Sequence, residues 1–123
     1  MSYRFQSATG TEEMQVSGTG LGILCQVLFD LGRPEAGRLA DTENHQPVSP
    51  EECRAMAGAL TEVPLAVVER SAGEIARALS EELGGEFDHL VEPRALAKYE
   101  AFLAKFALFC HNCGPLGGFR ITA

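Results

Sequence analysis

The sequence predicts an α+β domain: a small antiparallel sheet, made by an N-terminal hairpin and a C-terminal strand, with about four helices packed on one face. Three observations carry this expectation. Apolar and polar side chains alternate only near the two ends of the chain. Between those ends the apolar residues recur at helical spacing, and the runs are punctuated by helix start and stop signals. Finally, a chain of 123 residues with 46% hydrophobic side chains buries roughly 65% of its unfolded surface, enough for one core across residues 1–123 without metal or disulfide staples.

In chain order, Tyr3 and Phe5 alternate with Arg4 and Gln6, and Met14 to Ser17 alternate again. The turn-forming run Ala8-Thr9-Gly10-Thr11-Glu12 between them makes a hairpin with strands near 2–7 and 12–17. Gly18-Thr19-Gly20 reads as a strand-to-helix turn. Leu21, Leu24, Cys25, Leu28 and Leu31 then follow helical spacing. Ile23, Val27 and Phe29 make the other faces apolar as well, which predicts a helix buried nearly all round. Gly32 and Pro34 stop it.

Ser49, Pro50 and Glu52 form the strongest start signal in the chain, a capping box with proline at the first helical position. The stripe Cys53, Met56, Ala57 and Leu60 follows, and Pro64 ends that helix. Leu65 to Leu83 is the next helix, closed by Gly84-Gly85. Ser71 and Glu74 also fit a capping box, so a break near Ser71 is an alternative. Pro93 opens the final helix, with Leu96, Tyr99, Leu103, Phe106 and Cys110 on one face, and Gly114-Pro115 stops it. Phe119-Arg120-Ile121-Thr122 is a closing strand expected to pair with the hairpin.

Residues 33–48 read as a long polar connection with Leu39, Ala40 and Val48 as its anchors. Polar loops held on a rigid scaffold are where recognition is often placed. Glu35, Asp41 and Glu43 give this one acidic character, with Arg38 and His45 among them, so these five residues are the candidate partner contacts. A basic patch on a partner protein would be attracted to them. The competing reading is a solvated connection with no partner.

Seventeen acidic against ten basic residues give a net charge of −7, and the basic ones are scattered. Nucleic-acid binding needs a stripe of cations to displace phosphate counterions, so that partner class is disfavoured. The start of the chain lacks a signal-peptide pattern, and the most apolar run, Leu21 to Phe29, is far short of the ~20 residues that span a bilayer. The expectation is a cytoplasmic protein that does not enter membranes, with Cys25, Cys53, Cys110 and Cys113 as thiols.

Cys110-His111-Asn112-Cys113-Gly114 is the sharpest local motif. Two thiols at this spacing could share a metal, and the trailing glycine resembles a zinc knuckle. No second such pair exists to complete four ligands. Because Cys110 continues the apolar stripe of its helix, core packing is the preferred reading, ahead of zinc or redox chemistry at Cys110 and Cys113. A thiol at a helix C-terminus is also poorly placed for thiolate formation. By the same stripes, Cys25, Cys53 and Cys110 are expected to be buried and Cys113 the most reactive.

Gly18 to Gly22 sits where a phosphate-binding turn would, but the pattern fails at Ile23 and no lysine follows. The histidines and serines form no recognisable nucleophile–base set.

The segments Asn44-His45-Gln46-Pro47-Val48-Ser49, Glu52 to Leu60, Phe106, Phe109-Cys110 and Gly117-Gly118-Phe119-Arg120-Ile121 together resemble a group of small uncharacterised bacterial α+β proteins. Those have an Asn-x-Gln-x-Val stretch before a capped helix and a Gly-Gly-Phe-Arg-Ile-like terminal strand. This chain departs from them in lacking tryptophan and in inserting Cys113-Gly114-Pro115-Leu116. The resemblance implies no activity, cofactor or site residue.

By elimination, the sequence points to non-catalytic binding of another macromolecule, a protein, with no cofactor and with self-association left open. A zinc- or thiol-dependent protein, an enzyme whose site residues look ordinary, and an anion or nucleotide binder at Gly18 to Gly22 are the alternatives.

Overall fold

A computed structural model describes residues 2–41 and 47–123. The elements run β1 (Ser2–Ser7), β2 (Glu13–Ser17), α1 (Gly18–Asp30), α2 (Glu35–Ala40), α3 (Pro50–Leu60), α4 (Leu65–Leu83), α5 (Pro93–Cys113) and β3 (Phe119–Thr122). Short 3-10 turns occupy Asp88–Val91 and Gly114–Leu116. The fold is α+β, with the hairpin and the closing strand in one antiparallel sheet of order β2-β1-β3.

The register places Tyr3 opposite Val16, Phe5 opposite both Met14 and Ile121, and Ser7 opposite Phe119. Directly opposed residues share a sheet face. Phe5, Met14, Val16 and Phe119 are therefore buried together, while Arg4, Glu13, Gln15 and Arg120 face solvent on the other side. The apolar face meets α5 in a cluster of four aromatic rings. Phe5 stacks on Phe119 at 5.4 Å and meets Phe106 edge-on at 5.8 Å, and Phe109 meets Phe119 at 5.2 Å.

The edge of β3 is engaged by Val48. The Val48 amide donates to the Phe119 carbonyl at 2.7 Å, and the Phe119 amide donates back at 3.1 Å. This close approach runs directly over Gly118, whose φ is +88°.

Each helix has a local cause. The Ser17 hydroxyl accepts from the Gly20 amide at 2.9 Å, so α1 starts immediately after β2. Gly18-Thr19-Gly20 is the first helical turn and not the separate connection its glycines suggested. At the other end Gly32, with φ +74°, lets the Arg33 amide return to the Leu28 carbonyl at 2.8 Å, a Schellman closure. Ile23 and Val27 are buried as expected, but Phe29 is 71% exposed, so α1 has one open side.

Residues 33–48 are not all loop: Glu35–Ala40 forms α2. Ala36 and Leu39, three residues apart, are buried on one face. Ala40, expected as an anchor, is exposed.

The capping box at α3 is complete. The Glu52 amide donates to Ser49 Oγ at 3.1 Å and the Ser49 amide donates to Glu52 Oε1 at 3.0 Å. Ser49→Ala should cost about 1 kcal/mol, read as a lower urea midpoint with an unchanged m-value.

The alternative of a break near Ser71 is not realised, and α4 is continuous. The buried Ser71 hydroxyl donates to Asp30 Oδ2 at 2.7 Å, across 41 residues of sequence, instead of capping a new helix. Among the described residues, five α-helices stand where about four were expected, the addition being α2.

Candidate functional site

Of the residues expected to meet a partner, the three that the structure describes, Glu35, Arg38 and Asp41, do not form a common exposed patch. Glu35 is only 4% exposed, and Arg33 donates to its Oε1 from both Nη2 at 2.7 Å and Nε at 3.1 Å. This ion pair ties the start of α2 to the end of α1, which is a structural duty. Arg38 is half-buried, 3.6 Å from Glu52 Oε2, and its guanidinium also donates to the Pro47 carbonyl. It thereby clamps α2 to the entry of α3. Asp41 is exposed. Glu43 and His45 lie outside the described residues.

The Cys110/Cys113 pair is directed into the core. Both thiols and Cys53 are buried, and Cys53 on α3 faces Cys110 on α5. A hydrogen bond with Cys53, then burial, raises the Cys110 thiol far above the ordinary range, and the same hydrogen bond lowers Cys53. Burial pushes Cys113 up to about 12 and Cys25 up to about 11. His111, between the paired cysteines in sequence, is exposed and does not turn into the core with them. Among the described residues, no three His, Cys, Asp or Glu side chains come together in a way that could hold a metal ion.

One expectation is corrected here: Cys113 is buried and Cys25 is the partly exposed thiol. Helix α5 ends at Cys113, directly before Gly114, so Cys113 is still in its last turn and, three residues after Cys110, shares that residue's inward face. A thiol reagent at pH 8 should therefore modify Cys25 first, and slowly, while Cys53, Cys110 and Cys113 react only on unfolding. Rapid reaction at three sites would contradict this packing.

The raised thiols also set a pH dependence. Their protons are held more tightly in the folded chain, so the stability they contribute is complete below about pH 9 and is lost as pH rises toward the folded values of about 11 and about 12. Unfolding free energy should be nearly constant from pH 8 to 9 and then fall toward pH 10.5 by up to about 1.4 kcal/mol per unit for each thiol that ionises only when unfolded.

A concavity lies elsewhere, between α3 and α5. It is an open groove of about 520 Å³. Cys53, Met56 and Leu60 turn inward from α3, as Leu103, Phe106 and Cys110 do from α5. This leaves the small residues Ala57, Gly58, Ala104 and Ala107 to form the floor where the helices meet. Leu108 rises beside it, 59% exposed. Arg54 and His111 are its charged and basic lining, and Thr61 is committed, its hydroxyl donating to the Ala57 carbonyl at 2.5 Å.

Thr61 and Ala104 also line a smaller hollow of about 230 Å³ that continues the groove toward Glu62 and Glu100. The combined channel therefore has a cationic end and an anionic end. Among the described residues no ion pair engages Arg54, Glu62 or Glu100.

The glycine turn forms the start of α1. Ser17 already caps the start of α1, and a Cβ at Gly20 would meet Ser17 Oγ at 3.1 Å and Phe102 at 3.5 Å. The role of Gly20 is close packing against β2 and α5. No helix among the described residues is long and apolar enough to cross a membrane. In comparisons with protein-family models, curated proteins and solved structures, nothing matches this chain.

Proposed function

We propose that this protein acts without catalysis, by binding another protein through the groove between α3 and α5. The observation that carries the reading is the groove's make-up: an open channel of about 520 Å³ with a floor of small side chains and an exposed leucine on its rim. A hollow between two packed helices with an apolar ridge beside it suits the side chains of a partner helix. The polar groups at its ends are ionic and spaced apart, which suits orientation of a partner better than bond-making chemistry. Exposed Asp41, close in sequence to α2, belongs to a separate surface and is secondary in this reading. The cytoplasm is the proposed location, supported by four free thiols.

Photo-crosslinking in the source cells tests this. A crosslinking residue at position 108 should capture a protein that one at Gln15, on the outer face of the sheet, does not. The captured protein, once purified, should bind Leu108→Glu at least about tenfold more weakly, a difference of about 1.4 kcal/mol, with the melting temperature of the variant unchanged. Equal capture at both positions, or equal affinity for the variant, would reject the groove as the working surface.

A further inference from the structure

We propose that the partner seated in this groove is a second copy of the chain, presenting the same face about a two-fold axis. The proposal rests on the reading of the α3/α5 groove as the binding face and names its occupant.

Charge complementarity argues for it. Arg54 and His111 stand at one end of the channel, and Glu62 and Glu100 line the other. A half-turn about an axis normal to the channel lays the cationic end of each copy on the acidic end of the other. Both ends are then matched by one rotation, which is the condition for an isologous contact. Glu100 and His111 are separated by about 16 Å along α5, at about 1.5 Å of rise per residue. The opposed charges therefore flank the contact and fix its register.

Shape obeys the same symmetry. Leu108 and Ala104 are four residues apart on α5 and so lie on one face. With the axis midway between them, two antiparallel α5 helices place each exposed Leu108 over Ala104 of the other copy, next to the open floor at Gly58. A ridge and its matching hollow lie side by side on one patch, as a self-complementary surface requires. By contrast, Phe29, another exposed apolar side chain, lines a hollow whose described lining carries no charged residue.

Sedimentation equilibrium of the full chain, at moderate salt and up to about 200 µM, tests the proposal. The wild type should show a monomer–dimer equilibrium. Arg54→Glu and Glu62→Arg should each weaken it about tenfold or more, because α3 lies on α3 across the axis and each variant's own pair sets like charges against one another at both ends. An equimolar mixture of these two variants should regain the dimer, since in the mixed pair every charge again meets its opposite. Both substitutions are at exposed positions, and thermal melts of each variant check that folding is intact. A wild type that stays monomeric throughout, or a mixture no tighter than its separate components, overturns the proposal. Failure here is distinguishable from failure of the binding reading. A monomeric chain whose position-108 crosslinker captures a different protein removes only the second copy, whereas a monomeric chain with no capture removes both.

Discussion

Gly118→Ala should destabilise the protein by on the order of 3 kcal/mol or more. Two costs combine. The backbone at Gly118 has φ +88°, where an L side chain is strained by roughly 1–3 kcal/mol. The added Cβ would also overlap the Val48 carbonyl oxygen and press to 3.0 Å from its carbon and 3.2 Å from the Ser49 carbonyl carbon. Backbone atoms cannot rotate away as a flexible side chain can. Relief would require opening the Val48–Phe119 bridge, and with it the approach to the capped start of α3. A urea denaturation midpoint within experimental error of wild type would show that the bridge is not made. Gly58→Ala is the control: nothing lies within 4 Å of its added Cβ, its φ is ordinary, and it sits in a helix. It should be neutral or stabilising by up to about 1 kcal/mol.

Removal of residues 117–123 should abolish cooperative folding. The deletion takes away Phe119, which is fully buried and in contact with the rings of Phe5, Phe106 and Phe109. Losing a buried aromatic alone costs about 3–5 kcal/mol. The deletion also strips one whole side of β1 of its ladder partner and leaves the backbone groups of Val48 unpaired. Domains of this size are stable by only about 5–15 kcal/mol, so the combined loss exhausts the margin. Thermal unfolding followed by near-UV circular dichroism should show no sigmoidal transition in the shortened chain. A melting temperature within a degree of full length would refute the central place of β1.

Much of the fold was legible in the sequence where a few adjacent residues carry the cause. Ser49 and Glu52 cap α3 through contacts three residues apart, and Pro93 and Gly114 bracket α5. Alternation at Tyr3/Phe5 and Phe119/Ile121 revealed which sides of the strands turn inward. Readings failed where the deciding partner is remote or the element is too short. With six residues, α2 has less than two turns in which to show a period, and no side chain caps it. Glu35 looked like a surface acid because its charge is visible in sequence and its enclosure beside Arg33 is not. Ser71 matched a capping pattern, yet Asp30, on another helix, takes its hydroxyl. The groove was invisible for a similar reason. Ala57, Gly58, Ala104 and Ala107 are unexceptional one at a time, and they make a hollow only once α3 and α5 are side by side.

The strand order has a kinetic corollary. Because β1 is central, its two neighbours differ greatly in when they can reach it. The hairpin with β2 closes through a five-residue turn, an event on the order of 1–10 μs. Phe5 and Ile121 pair across the sheet yet lie about 115 residues apart in the chain, so the other side of β1 waits for the slowest loop closure in the molecule. Until then β1 exposes an unsatisfied edge next to an uncovered Phe5, a template for pairing with another unfinished chain. Refolding yield should therefore fall steeply with protein concentration even while the native state is stable, and a peptide spanning residues 117–123, supplied in excess during refolding, should occupy that edge and suppress the aggregation.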